Sequence, residues 1–109
     1  MLGFYEYQQE SKNTAFYPKN TSIPYCALGL CGEAGEVAEK VKKVMRDKSG
    51  NFGVSETNEL VSEMGDVLWY LSQLATELGV SLGDIALENL CKLQSRQRRG
   101  KLGGSGDNR

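Results

Sequence analysis

The octet LCGEAGEV at residues 30–37 returns as LVSEMGDV at residues 60–67. This doubling of Leu-x-x-Glu-x-Gly-acid-Val constrains the fold more than any other feature of the chain. At about 100° per residue on a helix, Ala34, Val37, Val41 and Val44 cluster within about 40° of Leu30, while Glu33 and Glu36 fall about 60° and 120° to one side. Glu63 and Asp66 take the same two angles from Leu60, beside a stripe of Met64, Val67, Leu71, Leu74 and Leu78. Two amphipathic helices, each carrying an acidic pair at the edge of its apolar face, satisfy both copies. Packed antiparallel along the stripes, their acidic edges meet.

Four carboxylates in one half-buried place repel by several kcal/mol at an effective dielectric near about 20, unless cations lie between them. Oxygen-only ligands favour Mg²⁺, with Mn²⁺ able to substitute, over zinc. The plainer alternative is a set of surface glutamates in i, i+4 pairs, such as Glu36 with Lys40 and Glu39 with Lys43. Two acidic pairs in matching register beside apolar stripes favour the cation site. Gly35 and Gly65 hold the same place in each copy, where glycine costs a helix about 1 kcal/mol, so a close backbone approach is expected at both.

The remaining elements are also helical. Phe4 and Tyr7 share a face over residues 3–13, and Pro18 then breaks the pattern in a polar loop. Ser22 and Pro24 open a helix that runs to about Lys48. Ser55 caps the next, which Gly79 ends, and Ser81 opens a last helix that fades into RQRRG and the glycine-rich KLGGSGDNR. The fold class is all-α: a helical bundle of about four helices per chain, completed by oligomerisation, with one domain over residues 1–101 and a flexible tail over 102–109. Trp69 points away from the main stripe and suggests a subunit contact, and a homodimer or dimer-of-dimers tetramer is expected.

Composition excludes several chemistries. With no histidine, Ser-His and Cys-His catalysis and the Glu-x-x-His di-iron signature are unavailable. Cys26, Cys31 and Cys91 are odd in number, lack a C-x-x-C spacing and read as small buried hydrophobes. A net charge of -1 gives no global reason to bind nucleic acid or an anionic membrane, and no apolar run is long enough to span one. A cytoplasmic protein is expected.

Glu33-x-x-Glu36 followed by Glu63-x-x-Asp66 resembles the signature of the MazG-like nucleoside triphosphate pyrophosphohydrolases, all-α enzymes related to dimeric dUTPases and dCTP pyrophosphatases. The resemblance extends through EMGDVLWYLSQLATELG to an Asn-x-x-Lys-x-x-x-Arg element at Asn89, Lys92 and Arg96. One departure stands out: where the family often opens its first motif with two glutamates, Gly32 takes the first place. The resemblance implies Mg²⁺-dependent hydrolysis of a nucleoside triphosphate, by water attack at the α-phosphorus, to the monophosphate and pyrophosphate. Glu33, Glu36, Glu63 and Asp66 would be metal ligands and catalytic acids. Lys92 and Arg96, one helical turn apart and on the same side as Asn89, suit the leaving pyrophosphate. Lys40 and Lys43 are weaker phosphate candidates, since both also serve as solvated helix charges. Tyr70, Phe16 and Tyr17 are candidates for the sugar or base, although Phe16 and Tyr17 also suit pinning the first helix to the core. The tail is a candidate lid bringing Arg109 or backbone N–H groups to the phosphates. A non-catalytic helical adaptor, or a metal- or nucleotide-binding regulator, is the alternative from another class.

Overall fold

The computed structural model describes residues 1–109 and contains helices and turns only. Four helices, α1 (Phe4–Ser11), α2 (Ser22–Asp47), α3 (Val54–Glu77) and α4 (Leu82–Arg98), follow one another, with 3-10 turns at Lys12–Thr14 and Lys19–Thr21 joining the first two. The all-α expectation holds. Gly29 lies against Tyr70, Lys40 beside Glu63 and Lys48 beside Glu56, so positions rise along α2 as they fall along α3. The two long helices are therefore an antiparallel hairpin along their apolar stripes.

The helix ends follow local chemistry, with two corrections: Ser22, expected as the N-cap of α2, is its first helical residue, with Thr21 in the cap position. Ser81 caps α4 as expected, its Oγ accepting from the Asp84 amide at 3.0 Å. Gly79, at φ +74°, makes the left-handed turn that stops α3. Ser55 does not cap α3. Gly53 already holds the extended N-cap conformation, which leaves Ser55 inside the first turn beside Glu56.

One buried amide docks α1. Gln8 Nε2 donates to Thr76 Oγ1 and to the Val80 carbonyl oxygen, each at 3.0 Å, and Gln8 Oε1 accepts from the Leu82 amide at 2.8 Å. That single side chain joins α1 to the end of α3 and the start of α4. Ser11, Ser72 and Gln73 continue this polar seam, with Gln73 Nε2 donating to Ser11 Oγ at 2.7 Å.

Trp69, the expected subunit contact, is half-buried and also packs within the chain. Its Nε1 donates to Thr14 Oγ1 at 2.9 Å, and its ring meets Tyr17 and Tyr70 edge-on at 6.4 and 5.0 Å. The 3-10 turn after α1 brings Thr14 over the face of α3 that helical counting left open. Cys26 is buried as expected, whereas Cys31 and Cys91 are exposed. Gly35 and Gly65 are corrected as well: a Cβ at either would meet nothing within 4 Å, and the close approach occurs at Gly29.

Candidate metal and nucleotide site

The hairpin register carries the site. Glu33 on α2 faces the i, i+3 pair Glu63 and Asp66 on α3, and one carboxylate oxygen from each lies within 4.8 Å of the others. At that spacing each charged pair repels by roughly 3 kcal/mol at an effective dielectric near 20. Burial, together with the charges of Asp66, Glu63 and Glu36, accordingly pushes the Glu33 carboxyl above the usual carboxylate range. Three carboxylate donors on two helices, Glu33 and Glu63 half-buried and Asp66 exposed, with no nitrogen or sulfur among them, fit a hard divalent cation.

Glu36, the fourth acid of the doubled motif, stands outside the triad and is exposed, although its charge reaches Glu33. Lys40, one turn beyond Glu36, comes within 3.8 Å of Glu63 Oε1 and 3.9 Å of Glu59 Oε2, which places a cation at the edge of the acids. A cleft of about 200 Å³ continues from Lys40 past Lys43 and Lys48 to Ser55 and Glu56. It lies beside the triad, and its charges are largely matched, as in the 3.7 Å Lys48–Glu56 pair.

On the other side the acids are rimmed by tyrosines. Burial, Tyr25 and Glu33 raise the Tyr70 hydroxyl, and burial with the charge of Asp66 raises that of Tyr7 on α1. Tyr25 stacks on Tyr17 with centroids 5.4 Å apart and lies 6.4 Å from Tyr70. Of the aromatic candidates, Tyr70 thus borders the acids, Phe16 is exposed in the loop before α2, and Tyr17 is buried with its hydroxyl donating to Glu77 Oε2 at 3.0 Å. Sequence reasoning missed Tyr7 and Tyr25 at the rim, and Gly29. A Cβ on Gly29 would fall 2.2 Å from Tyr70 Cε1, so this glycine admits the ring to the α2 backbone. The only prior signal was a glycine that helical counting sets about 100° from Leu30, on the acidic edge of the stripe.

The cationic candidates gather elsewhere. Asn89 and Lys92 line a shallow cavity on α4 with Ile85 and Glu88. Lys92 Nζ and Arg96 Nη2 both lie 3.3 Å from Asp107 Oδ1, and neither is paired with an acid of the triad. Arg109 turns back onto the tail's own carbonyl oxygens.

Comparison with known proteins identifies the family of the chain. Residues 23–100 match the MazG nucleotide pyrophosphohydrolase domain. The chain is 47% identical over 109 residues to the gene 37 protein of Mycobacterium phage L5, covering 94% of this chain and 96% of the phage protein. It is 37% identical over 79 residues to the uncharacterized protein YvdC of Bacillus subtilis (strain 168), covering 67% of this chain and 74% of that one. No solved structure matches. The match takes in both acidic pairs, the hairpin that joins them and α4, and the protein belongs to the MazG nucleotide pyrophosphohydrolase domain family.

Proposed function

We propose that the protein hydrolyses nucleoside triphosphates to the monophosphate and pyrophosphate in a Mg²⁺-dependent reaction, with Mn²⁺ able to substitute. The observation that carries this reading is the convergence of Glu33, Glu63 and Asp66 in a chain of this family. A divalent cation bound there would offset the charge of the phosphate oxygens and make water a better nucleophile. The protein's own groups do the rest. Glu36, exposed and free of the triad, takes the proton of the water that attacks the α-phosphorus. Lys40 steadies Glu63 and adds positive charge at the edge of the acids. Tyr70 and its neighbour Tyr25 offer aromatic faces to the nucleoside beside Glu33, with Phe16 a further exposed ring. Lys92 and Arg96, with Asn89 on the same side of α4, grip the leaving pyrophosphate. Tyr17, spent on Glu77 and buried, serves packing.

Assembly belongs to the same reading. Leu87, Leu90 and Leu93 on α4 and Val61 and Met64 on α3 remain exposed, and a homodimer or dimer of dimers would cover them. The protein acts in the cytoplasm on free nucleotides, without nucleic acid or membrane.

Incubation with a panel of canonical and modified nucleoside triphosphates and Mg²⁺ tests the reaction. Equimolar pyrophosphate and monophosphate are expected. Orthophosphate would mean a different bond is cleaved, and metal or nucleotide binding without turnover would make the protein a regulator.

A further inference from the structure

Residues 101–109 fold back on α4 around one side chain. Arg109 Nε donates to the carbonyl oxygens of Lys101 at 3.1 Å and Gly103 at 2.9 Å, Nη2 to that of Leu102 at 3.1 Å, and Nη1 to that of Gly106. Gly104 and Gly106, both at φ +87°, make the left-handed turns that gather four carbonyls on one guanidinium. The loop so tied delivers Asp107 to α4. Its carbonyl oxygen accepts from Arg96 Nη2 at 2.7 Å, and its carboxylate reaches both Arg96 and Lys92.

This contact orients the cation pair without filling it. Arg96 is only 4% exposed, yet Nη2 is its one engaged nitrogen, so the donors on Nε and Nη1 are unspent. From Lys92 to Arg109 the sequence carries six cationic side chains and one acidic one, Asp107, and that excess of positive charge favours an anion. A guanidinium fixed at one nitrogen, with its remaining donors free beside a lysine, is preorganised for phosphate oxygens.

We propose that residues 101–109 are a clasp that positions Lys92 and Arg96 for an oligophosphate, and that Arg109 is the positioning residue that closes it rather than a phosphate contact. The inference rests on the reading of Lys92 and Arg96 as the pyrophosphate grip. Lysine at position 109 would keep the charge but present one compact ammonium, which cannot hold four carbonyls in a plane.

The test is calorimetric titration of the full-length protein with inorganic pyrophosphate in EDTA, where binding does not depend on metal or turnover, with Mn²⁺ titrated separately. Arg109→Lys and Arg109→Gln should weaken pyrophosphate by about tenfold alike, as expected for losing charge-assisted bonds, and leave Mn²⁺ affinity unchanged. Deletion of residues 102–109 should give the same loss, while Asp107→Asn should hold or gain affinity, because the main-chain carbonyl still orients Arg96 and a competing negative charge is gone. Full affinity in Arg109→Lys with loss in Arg109→Gln would make Arg109 a direct charge contact and overturn the clasp, as would wild-type affinity in both. Lys92→Met and Arg96→Gln are the separate arm. Unchanged pyrophosphate binding there removes the grip itself and the clasp with it, whatever the nucleotide panel shows, whereas absence of hydrolysis with all these binding losses intact would sink only the proposed reaction. Tight binding of single-stranded DNA in place of pyrophosphate would also overturn it.

Discussion

Glu33 meets three like charges from two helices, and burial together with that crowding raises its proton affinity. A divalent ion relieves the crowding only through the residues that reach it, which separates the four acids by experiment. Glu63→Gln and Asp66→Asn should lose both Mn²⁺ binding and hydrolysis, whereas Glu36→Gln should bind Mn²⁺ within a few-fold of wild type and lose turnover by roughly two orders of magnitude or more, in the range of a lost general base. Mn²⁺ titration followed by electron paramagnetic resonance makes the distinction, and joint loss in Glu36→Gln would make that residue a ligand instead. Glycines divide in a similar way. Gly29→Ala drives a methyl into the Tyr70 ring and should cost about 1–3 kcal/mol in denaturant unfolding, the usual range for overpacking. Gly35→Ala, with open space around it, should hold or gain up to about 1 kcal/mol from helix propensity.

At the level of elements, the connection between α1 and α2 is held down by the far end of α3. Tyr17 donates to Glu77, and the hydroxyls of Ser22 and Tyr17, with Lys19 nearby, keep the Glu77 carboxyl below its ordinary range. A depressed carboxyl binds its proton less readily in the folded chain than in the unfolded one. Its stabilisation is therefore present above the unfolded value and lost as pH falls through the lower, folded value. Glu77→Gln should melt below wild type at neutral pH, with the gap closing as pH drops below the ordinary carboxylate range. A gap that stays constant from neutral to acid pH would assign the loss to packing. The same seam explains why a short α1 is ordered at all: an eight-residue helix is unstable alone, and the bonds of Gln8 to two neighbouring elements replace the cooperativity it lacks.

On the scale of the whole molecule the chain is open. Its radius of gyration is 16.8 Å, against about 13 Å for a compact domain of this length, and only 11 of 109 residues are buried. Exposed leucines along α4 account for part of that excess, since α4 is held by α1 and touches α3 sparsely. Sedimentation at micromolar concentration should give a dimer or tetramer, and Leu87→Glu combined with Leu90→Glu should shift it toward monomer while Mn²⁺ binding at the triad persists. A monomeric wild-type mass would overturn the assembly.

Helical period made the helices legible, with an acidic pair at the edge of each long apolar stripe, because side chains three and four residues apart share a face whatever surrounds the helix. The antiparallel hairpin decided that Glu33 meets Glu63 and Asp66. The same counting sets Glu36 about 60° farther round α2 than Glu33, but only the packed hairpin decided that this turns it out of the triad. Face sharing does not say which neighbour a face meets. Trp69 was legible as lying off the main stripe, and the path of the 3-10 turn decided that Thr14 covers it. Glycine was legible at positions 29, 35 and 65, and the rotation of α2 against α3 decided that Tyr70 presses on the first alone. Nothing in GGSGDNR has a period. The pairing of Asp107 with Lys92 and Arg96 arises from a chain reversal around one guanidinium, a contact across eleven or more residues that only tertiary folding brings about.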